Sequence, residues 1–579
     1  MIRTLIGILG MAALAGCATV GKRPASAPVE VGIIAINDFH GALEPPKSAV
    51  PAAVADGTEV KVPAGGAAYL ASAIAKLRQE RANSITVSAG DLISASPFVS
   101  SQFLDEPTIL AMNMIGLDLN AVGNHEFDRG PDELERMQHG GCRQYTIRKP
   151  CRLDSDFPGA RFEFLAANVR TDTGEPFLSS TALRRFGRAT VGFIGLTLKE
   201  TPTLVVPSNV AKLRFADEAQ TINGLIPGLK AKGADAIVVL IHQGLYTEVG
   251  YDDKSCGGVS GDLLPILAKL DPAVDLVVSG HTHRAYVCDY GRIDPTRPFL
   301  VTSAGRSGTL VTDIRLSIDP AAGRVVAKSA DNLIVQGEAY GSGATAVPLT
   351  TAVPGYPRDT AVQALVDRYV AAAAPIAGRV VGRMTAPALR ATTPSGETAL
   401  GDLVADAQQR ATGADLSFMN IYGLRADLVP GEGGVVTYGQ LYSVQPFANV
   451  LQVKGLTGRQ LRAVLEQQFA SGSNTATKPN MLLPSAALTF SYDLSRAAGA
   501  RIVDLRFKGA PVDDARIYTV ALSNFLASGG DNFTVFRDGT DIAAKGIEDV
   551  DALEAYLVAA GSVTPPIPNR ITRIDAPKP

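Results

Sequence analysis

Residues 123 to 128 read Gly123-Asn124-His125-Glu126-Phe127-Asp128, an amide, an imidazole and two carboxylates within six positions. They follow Leu117, Leu119, Ala121 and Val122, an apolar run that reads as a short strand. Polar groups at this density are costly to bury without partners, so the run is expected in the loop at the strand's carboxyl end. Ligands bind at that place in open α/β sheets. Alone, the run would be a polar turn capped by Asn124 or Asp128, with Glu126 a solvated or capping carboxylate. Four further stretches of the same design decide otherwise.

Val31 to Ile36 runs into Asn37-Asp38-Phe39-His40, whose i, i+2 spacing puts Asp38 and His40 on one side of an extended segment. Ser84 to Ser88 runs into Gly90-Asp91, Ala236 to Ile241 into His242, and Leu276 to Ser279 into Gly280-His281-Thr282-His283. Near-continuous β-branched runs suit strands covered on both faces, which makes the first half an α/β fold. The chain has 6 histidines, and all but His139 fall in these loops.

Asp, His and Asn without thiolates suit Zn, Mn, Co, Fe, Mg or Ca. Seven such residues, Asp38, His40, Asp91, Asn124, His242, His281 and His283, exceed one tetrahedral site. Two divalent ions about 3.5–4 Å apart sharing a carboxylate are therefore expected, an arrangement that clamps both oxygens of an in-line displacement and lowers the pKa of a bound water toward ~7.

The series Asp38-x-His40, Gly90-Asp91, Gly123-Asn124-His125-Glu126, His242 and Gly280-His281-Thr282-His283 resembles the calcineurin-like metallophosphatases, specifically the 5′-nucleotidase / UDP-sugar hydrolase family, over nearly the whole mature chain. The resemblance implies a four-layer αββα sandwich followed by a second α/β substrate-binding domain. It implies one metal on Asp38, His40, Asp91 and His283, the other on Asp91, Asn124, His242 and His281, with Asp91 bridging. His125, oriented by Asp128, would stand over the phosphoryl group and stabilise charge in the transition state. The implied activity is hydrolysis of 5′-nucleotides to nucleoside and phosphate. UDP-sugars, 2′,3′-cyclic nucleotides with 3′-nucleotides, and sulfur esters as in thiosulfohydrolases stay open as substrates. A surface lipoprotein that keeps the fold only for binding ranks lower, because every expected ligand position is filled.

In the second half, residues 336–359 are rich in Gly, Pro, Thr and Ala and read as a linker. Thr360 to Ala374 carries Val362, Leu365, Val366, Tyr369 and Val370 at helical spacing and is expected to end at Pro375, joining two domains. From residue 380 the pattern alternates again, with a strand at Val380-Val381, a helix over Leu400 to Arg410, and strands over Leu416 to Asn420 and Tyr518 to Leu522. Glu397 to Ala407 resembles the opening motif of the family's C-terminal domain. There Phe447 and Phe525 would sandwich a nucleobase and Asp531, beside a Gly-Gly turn, would contact the nucleoside. Asn420-Ile421-Tyr422-Gly423-Leu424-Arg425 supplies Asn420 and a phosphate-binding Arg425, but has Ile-Tyr-Gly where the family has three glycines. Tyr422 is expected to narrow the pocket. Gly396 stands where an arginine often precedes Glu397, and Arg390 is the nearest upstream alternative.

The ends and the composition complete the organisation. Arg3, the apolar run Leu5 to Leu14 and Leu14-Ala15-Gly16-Cys17 read as a secretory leader. Its end resembles a lipobox, which implies cleavage before Cys17, a diacylglycerol on its sulfur and, with Ala18 next, outer-membrane sorting. The expected division is 1–17 leader, 18–29 tether, 30–335 metallophosphatase domain, 336–378 linker and helix, and 379–579 substrate-binding domain. Cys142, Cys151, Cys256 and Cys288 remain, an even number in an oxidising periplasm, so two disulfides are expected. Three pairings exist, and proximity favours 142–151 with 256–288. With 579 residues, 46% hydrophobic, and a net charge of −3, the chain can bury large cores and has no basic face for a nucleic acid polymer or a membrane. The expected contacts are a nucleotide or related phosphate ester, and a membrane through the lipid anchor only.

Overall fold

The computed structural model describes residues 27–53 and 58–575. The leader, Cys17 and the tether as far as residue 26 lie outside the described residues. No helix among the described residues is long and apolar enough to cross a membrane.

Two six-stranded sheets stack in the first half of the chain. One runs from edge to edge as Arg324–Ile334, Leu310–Asp319, Val29–Ile36, Ser84–Ser88, Leu119–Ala121 and Glu163–Leu165. The other runs as Ala285–Asp289, Leu300–Ala304, Leu276–Ser279, Ala236–His242, Ala189–Thr197 and Thr181–Phe186. Their central strands are parallel. Alternation along each continuous apolar run feeds two cores at once. Ile33, Ala35 and Val87 meet Val191, Phe193, Val238 and Leu240 between the sheets. Ile34 and Ile36 turn outward onto Leu70, Ile74 and Leu77 of the helix Ala67–Gln79. On the far side Ile237, Val239 and Ile241 meet Ile222, Ile226 and Leu229 of the helix Glu218–Ala231. The result is the four-layer αββα sandwich, with the five polar loops at the carboxyl ends of strands from both sheets.

The second half centres on a five-stranded mixed sheet in the order Leu482–Pro484, Leu416–Asn420, Ile517–Ser523, Val450–Thr457 and Thr540–Glu548. The helix Ala399–Thr412, capped by the Thr398 hydroxyl accepting from Gly401 N at 3.0 Å, packs Leu400, Leu403 and Val404 into the core holding Leu416, Phe418, Val520 and Leu522.

Two expectations are corrected. The stretch 336–359 is not a free linker but a strap on the first half. Gln336 is buried and exchanges bonds with Thr350, Gly337 N donates to Pro63 O at 2.8 Å, and Asp359 N donates to Ala68 O at 3.0 Å. The helix runs over Thr360–Ala377, through Pro375. A proline in the last turn removes a single bond, and Gly378 N restores the ladder by donating to Ala374 O at 2.9 Å. Nor is this helix only a joint: Val362 and Val366 belong to the first half's core, Tyr369 and Ala373 to the second's. The disulfides are Cys142–Cys151 and Cys256–Cys288, the pairs favoured by proximity.

Candidate active site

Backbone strain marks the place where the loops converge. Asp38, His40, Asp91, His281 and His283 all have left-handed backbones, with φ of 49°, 46°, 52°, 71° and 57°. Such conformations cost non-glycine residues roughly 1 kcal/mol or more each and persist only where the surroundings over-determine them. Here Asp38 N donates to Gly90 O at 2.9 Å, His40 N to Asp91 O at 2.9 Å, and Ser307 N to Asp38 O at 2.8 Å. The Asn37 amide bonds the Asp38 carboxylate and Gly305 O, each at 2.7 Å.

The donor atoms face one another. His40 Nε2 lies 3.1 Å from His283 Nε2, and His283 Nε2 lies 3.4 Å from Asp38 Oδ1. Asp91 Oδ2 sits between the two sides, 3.6 Å from His40 Nε2 and 3.0 Å from His242 Nε2. The donor atoms of Asp38, His40 and His283 lie within 4.8 Å of one another, as do those of Asp38, Asp91 and His242. His281 packs edge-on to His242 with ring centroids 5.3 Å apart and donates its backbone N to Asp38. Asn124 Oδ1 is buried without a hydrogen-bond partner.

This donor set fits divalent cations. His40 Nδ1 contacts Ser94 O at 2.9 Å and His242 Nδ1 contacts Ala89 O at 2.7 Å, which keeps the proton on Nδ1 and leaves Nε2 free to ligate. Burial holds His40 and His281 neutral, pushing each down to about 3. Burial, with the charge of Asp91, lifts Asp38 and Glu126 to about 7. Three buried carboxylates cannot all hold charge at neutral pH without positive charge among them.

Glu126 is not the solvated carboxylate expected. It is buried and accepts three backbone N–H groups, from Asp91 at 3.0 Å, Leu92 at 2.8 Å and Gly123 at 2.6 Å, so it clamps two ligand loops together. His125 N donates to Asp91 Oδ1 at 3.0 Å, while its ring Nδ1 lies 2.8 Å from Asp128 Oδ2. Burial works against charge on His125, but Asp128 and Asp91 outweigh it and raise its pKa.

The second half closes the site. A cleft of about 710 Å³ is lined by Asn124, His125, Asp128 and His281 from one side and by Asn420, Arg425, Phe447, Phe525 and Asp531 from the other. Phe447 lies parallel to the His125 ring, centroids 5.8 Å apart at 15°, and the Arg425 guanidinium is 5.7 Å from the Phe447 ring centre. Phe525 rests on Gly530, where a Cβ would come within 2.5 Å of the ring. Asn420 Nδ2 donates to Asp531 at 2.8 Å, and burial lifts that carboxylate to about 6. Arg425 has no ion-pair partner among the described residues; burial, then the nearby Arg306, lowers its pKa. Arg390 Nη1 donates to Arg425 O at 3.1 Å, bracing that arginine. Gly396 is excluded as an arginine position by shape: its φ is +79° and a Cβ would lie 2.7 Å from Met481. Tyr422, 52% exposed, is among the residues lining the cleft. Tyr246, Asn449 and Lys478 line the cleft too, without any signal in the sequence, because their loops carry no periodicity.

Both halves of the chain resemble known proteins. A family model for calcineurin-like phosphoesterase matches residues 32–285, and one for the 5′-nucleotidase C-terminal domain matches residues 380–538. Endonuclease YhcR of Bacillus subtilis is 28% identical over 513 residues, 88% of this chain, although the chain spans only 38% of that protein. A snake venom 5′-nucleotidase of Naja atra is 24% identical over 94% of this chain and 98% of its own. The structure of a 5′-nucleotidase precursor from Thermus thermophilus shares the fold with a TM-score of 0.70, 24% identity, and coverage of 95% of this chain and 100% of that one. The two models match in chain order and the donor cluster lies within the region matched by the first, so the chain joins a calcineurin-like phosphoesterase domain to a 5′-nucleotidase C-terminal domain.

Proposed function

We propose that the protein is an exported two-metal phosphohydrolase that cleaves 5′-nucleotides to nucleoside and phosphate. One observation carries this reading: the His125 ring, held by Asp128 at 2.8 Å, stands 5.2 Å from the His40 ring on one side and 5.8 Å from the Phe447 ring on the other. A phosphoryl group among the donors thus meets an imidazole able to hold positive charge, and the group it is attached to meets an aromatic face. Asp38, His40, Asp91, Asn124, His242, His281 and His283 would hold two divalent ions. When bound, these would activate the attacking water and neutralise the phosphoryl oxygens. His125 stabilises charge developing on the phosphoryl group, with Asp128 fixing its ring. Arg425, a half-buried cation without an ion-pair partner among the described residues, takes a phosphate oxygen. Phe447 and Phe525 take the base, and Asp531 with Asn420 takes the ribose hydroxyls.

Export rests on the leader and agrees with two disulfides. Cys17 would carry a lipid that holds the protein to the outer membrane, facing the periplasm. The proposed division into 30–335 and 379–579, bridged by 336–378, is supported by the separate core between the first half's sheets, although Phe98 and Phe103 pack into the core of the second half.

A steady-state panel of phosphate esters with defined metals tests the activity. Nucleoside 5′-monophosphates are expected to lead UDP-sugars, 2′,3′-cyclic nucleotides and thiosulfonate esters in kcat/KM. Replacing Phe447 and Phe525 together by alanine is expected to raise KM for nucleotides about tenfold or more while leaving that for phenyl phosphate nearly unchanged, since base stacking contributes ~1–3 kcal/mol. An equal loss on both substrates would refute the stacking role.

A further inference from the structure

The loop from Cys142 to Cys151, closed by their disulfide, has neither helix nor strand, yet both its ends are rooted in a buried ion network. Arg136 Nη1 donates to Gly141 O at 3.0 Å, and Cys151 N donates to Glu106 Oε1 at 3.0 Å. Arg136 in turn pairs with Glu106 at 2.8 Å and Glu133 at 2.7 Å. From this fixed base the loop sends one side chain across to the other domain. Arg148 Nη2 donates to Glu548 Oε2 at 2.6 Å, and its guanidinium lies 5.2 Å from the centre of the Tyr442 ring. The pair is largely out of water, the two side chains being 16% and 8% exposed. The mechanism above uses none of these groups.

Both contacts of Arg148 lead to the turn that presents Phe447. Tyr442, beneath the guanidinium, donates its hydroxyl to Pro446 O at 3.1 Å, directly before Phe447. Asp549, next to Glu548, accepts from Asn449 Nδ2 at 3.1 Å and donates its own N to Asn449 O at 2.8 Å, two residues after Phe447. Between these anchors Ala448 has φ of 54°, a conformation that a free turn would leave. Val450 N then donates to Asn524 Oδ1 at 3.2 Å, tying the same turn to the residue before Phe525. A buried charge pair gripping both flanks of a strained turn fixes where the ring between them stands.

We propose that Arg148 is a positioning residue for substrate binding: the disulfide-closed loop 142–151 of the first domain latches the Pro446–Asn449 turn of the second, and so holds Phe447 against His125. The proposal rests on the reading of Phe447 as a nucleobase contact. Loss of the latch leaves the donor cluster and the His125–Asp128 pair untouched, so its effect falls on binding of the nucleoside and not on the phosphoryl step.

The test compares the full chain with Arg148→Met, Arg148→Lys, the charge swap Arg148→Glu with Glu548→Arg, and Cys142→Ser with Cys151→Ser. The readouts are kinetics on a nucleoside 5′-monophosphate and on phenyl phosphate, and amide hydrogen exchange of residues 446–450 and 524–526. Arg148→Met and the double serine variant are expected to raise KM for the nucleotide about tenfold and to keep kcat/KM on phenyl phosphate within about twofold, with faster exchange in the two segments. Arg148→Lys and the charge swap are expected to recover part of the loss. An unchanged KM, an equal loss on both substrates, or a lowered melting temperature without faster exchange at 446–450 would overturn the proposal. Should the parent chain itself show no preference for nucleotides, the functional reading fails and the exchange data alone decide: faster exchange in Arg148→Met upholds the latch, and unchanged exchange removes it.

Discussion

At Gly123 a Cβ would lie 2.1 Å from Asp91 Oδ1 and 2.7 Å from Asp91 N. Gly123→Ala therefore has to displace the carboxylate that stands between the two groups of imidazoles. It is expected to lower metal content, measured by atomic spectroscopy after dialysis, together with activity. His125→Ala should behave in the opposite way, keeping its metal while turnover falls about 10²–10³-fold, because His125 bonds Asp91 through its backbone N, which alanine keeps. Metal loss on that substitution would make His125 a ligand. The donor residues that the structure brings together, Asp38, His40, Asp91, His242 and His283, were legible in the sequence because their chemistry is concentrated at strand ends, where few structural roles compete. Glu126 was not, because the N–H groups of Asp91 and Leu92 that it holds lie 35 and 34 residues away and only the fold brings them near.

Among the elements, the helix Ala399–Thr412 carries a buried carboxylate that the site does not use. Asp402 lies 3.6 Å from Arg570 Nε and beside Glu397, and burial, countered by Arg570 and reinforced by Glu397, lifts it to about 8 from an ordinary 3.8. The folded chain keeps this proton up to about pH 8, whereas the unfolded chain gives it up near 3.8. Stability is thus lost as pH rises between those values and levels off above the upper one. Asp402→Asn is expected to match the parent near pH 4 and to melt about 5 °C higher at pH 8, by calorimetry across that range. Five of the strands in the two sheets were readable because their apolar runs end in polar loops, whereas Ala189–Thr197, Leu300–Ala304 and Leu310–Asp319 carry no such ending and were not singled out. The strap over 336–359 was not, since its composition is that of a loop and its bonds are to distant backbone, such as Pro63 O and Ala68 O.

For the molecule as a whole, the helix Thr360–Ala377 belongs to both halves. A fragment ending at residue 335 strips Val362 and Val366 from the first core, each side chain contributing about 1.5–3 kcal/mol by burial. It is expected to melt well below a fragment ending at residue 377, by thermal denaturation followed with circular dichroism. Equal melting would show that the strap and helix add nothing to that core. Which face of one half meets the other is beyond periodicity: the Arg148–Glu548 pair joins residues 400 apart, and nothing near either position announces the other. The donor cluster has a similar origin, since Asp38, Asp91 and Asn124 follow strands of one sheet, whereas His242 ends a strand of the other and His281 and His283 follow one. A cation held there is a rivet through two plates. Its grip would be felt only while the plates are aligned, so on the function proposed above the supply of that cation would set how long the sandwich survives as well as how fast it works.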